Sequence, residues 1–100
     1  MMQLKGGVKV RGVQPEILLG IMVAKEVYYD AGQTFTITSV CDGKHSEKSL
    51  HYNGQAVDIR TRDLSGVTAQ DIATRIKLRL GGDYDVVNEG DHIHIEFDPK

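Results

Sequence analysis

The stretch from Tyr84 to Phe97 narrows the possible folds more than any other. Tyr84 to Val87 and His92 to Phe97 each carry strand-forming residues, and only Asn88-Glu89-Gly90-Asp91 separates them. Four turn-forming residues are too few for a crossover, so the two strands form an antiparallel hairpin. Within His92-Ile93-His94-Ile95-Glu96-Phe97 the two-residue period puts His92, His94 and Glu96 on one face and Ile93, Ile95 and Phe97 on the other. The apolar face packs on a core. The opposite face carries two imidazoles and a carboxylate, a pattern that also suits the solvated outer face of an edge strand.

The rest of the chain supplies the other elements. Pro15 can open a helix, where its missing N–H costs nothing, and Gly32 is the expected stop after Ala31. Ile17, Leu18, Leu19, Ile21, Met22, Val23 and Val27 wrap most of that helix, which predicts burial on more than one side. Thr34 to Val40 alternates Phe35 and Ile37 with threonines. Gln55 to Thr61 sets Val57 and Ile59 against Ala56, Asp58 and Arg60, and the polar stretch Cys41 to Asn53 reads as a loop. Thr68, with Asp71 three residues on, caps a second helix whose stripe is Ala69, Ile72, Ala73, Ile76 and Leu80. Arg75, Lys77 and Arg79 suit its negative pole, and Gly81-Gly82 end it. The order helix, strand, strand, helix, hairpin predicts an α+β domain, an antiparallel sheet with two main helices packed on it. Residues 1–100 make one domain, with 1–13 as a loose amino-terminal segment.

Charge and cysteine count remove several functions. Twelve basic against fourteen acidic residues give a net charge of −2 and no positive field, which argues against a general nucleic-acid binder. The most apolar stretch, Ile17 to Val23, is far short of the roughly 20 residues that cross a bilayer. Met1 to Val13 lacks the pattern of a signal peptide, so the expectation is a cytoplasmic protein with no nucleic-acid or membrane partner, unless something else releases it. The sequence is silent on oligomeric state. A single cysteine, Cys41, forms no internal disulfide and excludes a thiolate-rich structural zinc site.

The chemistry concentrates in Ser49-Leu50-His51-Tyr52-Asn53-Gly54-Gln55-Ala56-Val57-Asp58 and in the last strand. His51 and Asp58 are a nitrogen and an oxygen donor bridging loop and strand, and His94 would complete a two-histidine, one-aspartate set. Three protein ligands with an open fourth position is how a catalytic zinc is held. A hydrogen-bonded turn histidine and a strand-end aspartate are the competing reading of the same residues.

The decapeptide is similar, at Ser49, His51, Gly54, Ala56 and Asp58, to the Ser-x-His-x-x-Gly-x-Ala-x-Asp signature of the zinc D-alanyl-D-alanine peptidases. That family includes dipeptidases, carboxypeptidases and phage L-alanyl-D-glutamate endolysins, and shares its fold with the Hedgehog amino-terminal signalling domain. Local likeness to Hedgehog is closer still: His45-Ser46-Glu47, Ser49-Leu50-His51-Tyr52, Ala56-Val57-Asp58-Ile59 and His92-Ile93-His94. The resembling segments are residues 45–61 and 83–97.

The resemblance implies that His51, Asp58 and His94 bind a single Zn2+ ion, with Ser49 orienting the ligand loop by hydrogen bonding. It implies a carboxylate base three residues before the last ligand, here Asp91; Glu89 is the runner-up, better matched to the Hedgehog-like context. Asp91 has the wrong parity for the metal face unless the strand begins irregularly, which Gly90 permits. His45 and His92 correspond to histidines lining the Hedgehog zinc cleft, and would bind substrate or stabilise the tetrahedral intermediate. Glu96 shares the face of His94 but is expected to point beyond it. One departure is the absence, in Thr38 to Lys44, of an arginine that such peptidases carry; Lys44, or protonated His45, is the available substitute, without the bidentate fork. Arg60 and Arg62 read as surface residues within reach of an anionic stem peptide.

The function implied is zinc-dependent hydrolysis of peptide bonds in bacterial cell-wall peptidoglycan, of carboxypeptidase or L-alanyl-D-glutamate endopeptidase type. A small domain of this kind resembles phage or prophage lysis and tail-associated enzymes. The alternative is a non-catalytic zinc-binding, partner-binding module of the Hedgehog-like fold, and a third reading is a structural α+β domain whose histidines bind nothing.

Overall fold

The computed structural model describes residues 2–4, 15–42 and 55–99, with residues 2–4, 41, 42 and 55 described by their backbone alone. Its elements are β1 (Met2–Leu4), α1 (Pro15–Asp30), β2 (Phe35–Asp42), β3 (Gln55–Arg60), α2 (Ala69–Leu80), β4 (Tyr84–Asn88) and β5 (His92–Phe97). Both helices begin and end where the local chemistry dictates. Pro15 is the first residue of α1, and Gly32, at φ +72, follows its end. The Thr68 side chain accepts from the Asp71 amide at the start of α2, and Gly81, at φ +86, closes it with its amide on Lys77 O.

The sheet order is β1-β2-β3-β5-β4. β2, β3, β5 and β4 pair antiparallel, as expected for the α+β class. β1 differs: it lies parallel on the outer edge of β2, Met2 against Phe35 and Leu4 against Ile37. Three residues are too few to show a period, so this part of the segment expected to be loose is ordered by the β2 edge and not by its own pattern.

One core joins both helices to β2, β3, β4 and β5. Ile17, Ile21, Ala24, Val27 and Tyr28 of α1 and Ile72, Ala73 and Ile76 of α2 meet Phe35, Ile37, Val57, Ile59, Ile93 and Ile95 of the sheet. Both helices therefore cover the same sheet face. Gly20 lets α1 approach β5: a Cβ there would sit 3.4 Å from Ile95 Cγ2. The expectation that α1 is buried on several sides is not met, because Leu18, Leu19 and Met22 are each about half exposed. In a two-layer structure the helix has one sheet beneath it and α2 beside it, which leaves its outer side uncovered by the described residues.

A bulge in β2 sets the faces of the sheet. Ile37 pairs with Ile59 but Ser39 pairs with Asp58, so Thr38 is an extra residue and the parity of β2 changes there. The change lets Phe35, Ile37 and then Val40 all serve the core side, while Ser39 falls on the other face. The Thr38 hydroxyl donates to Asp58 O at 3.3 Å.

Tyr28 ties α1 to the end of β3. Its ring is fully buried, edge-on to Phe35 at 5.3 Å, and its hydroxyl donates to Arg60 O at 2.9 Å. Burial pushes the phenol well above its usual range, so it stays a donor. Tyr28→Phe keeps the ring packing and removes the donor. It should lower the unfolding free energy by about 1–2 kcal/mol, read as a lower denaturant midpoint at an unchanged slope.

Candidate functional site

On the face away from the helices, the β3–β5 ladder sets Ala56 opposite Glu96, Asp58 opposite His94 and Arg60 opposite His92. These side chains share that face because Val57, Ile59, Ile93 and Ile95, the alternate residues, are fully buried against the helices. β3 and β5 are the inner strands of the antiparallel part of the sheet, so the site stands on its most constrained backbone.

His94 lies between two carboxylates. Its Nδ1 is 2.8 Å from Asp58 Oδ1 and its Nε2 is 3.0 Å from Glu96 Oε1. Glu96, expected to point beyond His94, instead turns back onto the ring and is itself buried. Ala56, directly opposite, puts no bulk across from it. The hydrogen bond to Asp58 is the largest influence on His94, with Glu96 adding to it; against the opposing effect of burial, they raise its pKa to about 9. In the metal-free protein His94 is therefore an imidazolium donating to both carboxylates at neutral pH.

That charge state has a thermodynamic consequence. With the folded pKa above the ordinary 6.5, the contribution of His94 to stability is complete below about pH 6.5 and is lost as pH rises through about 9. Its size is up to about 3 kcal/mol. Chelator-treated protein should lose unfolding free energy across this window, whereas His94→Asn should not show the same slope. Equal slopes in parent and variant would remove the assignment.

The hairpin turn brings in a third carboxylate. Gly90, at φ +96, and Asp91 are the central residues of a tight turn closed by the Glu89 amide on His92 O at 2.9 Å. Thr61 pins the turn, its hydroxyl donating to Gly90 O at 2.8 Å and its amide to Asp91 O. Asp91 thus stands just outside β5, and its Oδ1 lies 2.6 Å from His92 Nδ1. His92 Nε2 is 3.7 Å from Asp58 Oδ1, so Asp91 communicates with the Asp58–His94 pair through the His92 ring. Glu89 is exposed in the turn.

Of the expected site residues, the structure brings together Asp58, His94, His92 and Asp91, and adds Glu96 as a hydrogen-bond partner of His94. His51, His45, Ser49 and Lys44 lie outside the described residues. Among the described residues no group of three or more His, Cys, Asp or Glu side chains is arranged to hold a metal ion.

The two described donors do fit zinc in kind: a carboxylate oxygen and an imidazole nitrogen face one another from paired strands. The second nitrogen of His94 is held by a carboxylate, the arrangement that fixes the tautomer of a ligating histidine. No helix among the described residues is long and apolar enough to cross a membrane.

Comparison with known proteins agrees with the fold. Indian hedgehog protein of Gallus gallus and Indian hedgehog B protein of Danio rerio are each 42% identical to this chain over 53 residues. The alignments cover 53% of this chain and 13% of each relative. No solved structure matches. Of the two families whose motifs the sequence resembles, it is the Hedgehog amino-terminal signalling domain whose profile matches, over residues 20–96, from within α1 to the last strand. The chain belongs to the family of the Hedgehog amino-terminal signalling domain.

Proposed function

We propose that this domain is a zinc metallopeptidase acting on stem peptides of bacterial peptidoglycan, with His51, Asp58 and His94 as ligands of one zinc ion. The observation that carries the reading is the Asp58–His94 pair, backed by Glu96 and flanked through His92 by a second carboxylate, Asp91. When bound, zinc lowers the pKa of a coordinated water towards 7 and polarises the scissile carbonyl. Glu96 accepts the Nε2 proton of His94 and so leaves Nδ1 free of a proton for coordination. Asp91 accepts a proton at its carboxylate and returns it to the leaving amine. His92, bonded to Asp91 and 3.7 Å from Asp58, links that carboxylate to the Asp58–His94 pair.

The second reading is a non-catalytic zinc-binding module that binds a protein partner. Membership of a signalling-domain family supports it, as does Asp91 being engaged by His92 and not facing the Asp58–His94 pair directly. Two measurements separate the readings. Protein purified without a metal-affinity tag should hold one zinc per chain by elemental analysis, and protein without stoichiometric zinc would end both. Zinc-loaded protein incubated with purified peptidoglycan should generate new amino groups; zinc without cleavage would leave the binding module.

A further inference from the structure

At the turn end of the site, Thr38, Arg60, Arg62, Asp91 and His92 line a cleft of about 230 Å³. The register explains their company. Arg60 is opposite His92, two residues along the ladder from Asp58 and His94 on the same face, a step of roughly 7 Å. Thr38 is the bulge residue of β2, and Asp91 belongs to the hairpin turn. Arg62 follows β3 across the buried Thr61, whose hydroxyl fixes the neighbouring turn.

The balance of charge in this cleft favours an anion. Two guanidiniums face one carboxylate, and that carboxylate is already bonded to His92 at 2.6 Å. Among the described residues Arg62 pairs with no carboxylate, and the Arg60 guanidinium meets only Asp63, at 3.9 Å. Their N–H donors are thus available, in the planar fork that matches a carboxylate. Thr38, whose hydroxyl donates to Asp58 O, completes the lining.

We infer that the Arg60–Arg62 cleft is an anion subsite that takes a carboxylate of the bound peptide, within two residues of the bond placed at Asp58 and His94. Its ligand class rests on the peptidase reading above; the cleft and its charge do not. The subsite makes the protein select peptides bearing a free carboxylate next to the reacting bond over those in which it is capped.

The test is an NMR titration of zinc-loaded protein with N-acetyl-D-alanyl-D-alanine and with its carboxy-terminal amide, at low ionic strength. The free acid should bind at least about tenfold tighter than the amide. Shifts should centre on residues 60–62 and 91–92. Arg62→Gln, an exposed position, should lose most of this preference, and Arg60→Gln with Arg62→Gln should abolish it, with thermal melting as the check that both fold.

Equal binding of acid and amide, no binding of either, or a preference that survives the double substitution would each overturn the subsite. Hydrolysis followed in the same samples reports on the peptidase reading alone. An arginine-dependent preference without hydrolysis keeps the subsite and sinks the peptidase, and cleavage of acid and amide alike does the reverse.

Discussion

His94→Ala should leave the protein without zinc and without peptide hydrolysis, and should destabilise the metal-free fold as well. The first effect follows from removing one of three proposed ligands; the variant is expected to show no stoichiometric zinc by elemental analysis. The second effect has a separate cause. His94 is the cation shared by Asp58 and Glu96, at 2.8 and 3.0 Å, and Glu96 is buried. Deleting the imidazolium strands two carboxylates side by side, a change that costs about 3–5 kcal/mol where burial is complete and less at this partly exposed pair.

Two controls keep these effects apart. In chelator, the His94→Ala penalty should shrink when Glu96→Ala is combined with it, because the stranded buried charge is gone. With zinc present at about a hundred times its dissociation constant, the parent should gain about 2.7 kcal/mol and His94→Ala nothing. A variant that retains zinc would refute the ligand assignment; one that loses zinc but melts like the metal-free parent would refute the account of the three-residue cluster.

How much of this was open to a reader of residues alone depends on whether a feature is local. Pro15, Gly32, Thr68 and Gly81 mark helix ends through chemistry confined to one turn, and the structure places them at or next to those ends. The alternation in β3 and β5 likewise separates core from polar faces without reference to the rest of the fold. Register is different. That Asp58 faces His94, and Arg60 faces His92, depends on how two strands separated by a helix and a further strand align, and no local signal carries it.

The Thr38 bulge is also illegible, since an extra residue in β2 looks like ordinary Thr-Ser sequence and shows only when Ser39 is found opposite Asp58. The same holds for β1, three residues long and ordered by its neighbour, and for the exposed side of α1. There, apolar composition outruns the area available for burial. Glu96 was readable as a face-mate of His94 but not as its partner, because that bond depends on a side-chain rotamer opposite the small Ala56.

Asp91→Ala should lower kcat for peptidoglycan-peptide hydrolysis by about 10²–10⁴-fold, the usual contribution of a positioned base, with zinc content unchanged. Glu89→Ala should be close to the parent. The geometry separates these two carboxylates more sharply than spacing or context does. Gly90 lets the turn carry Asp91 to the His92 ring at 2.6 Å, from which the Asp58 carboxylate is 3.7 Å away. Glu89 is engaged there through its amide, which closes the turn, so its side chain can be removed without moving the hairpin. Asp91→Asn adds the decisive comparison. It keeps the shape and an oxygen for His92 but cannot accept a proton at neutral pH, so it should be as slow as Asp91→Ala if Asp91 is the base. If Asp91 only orients His92, Asp91→Asn should retain most of the activity while His92→Ala falls as far as Asp91→Ala. Loss of activity in Glu89→Ala, with Asp91→Ala near the parent, would move the proton-transfer role to the other side of the turn.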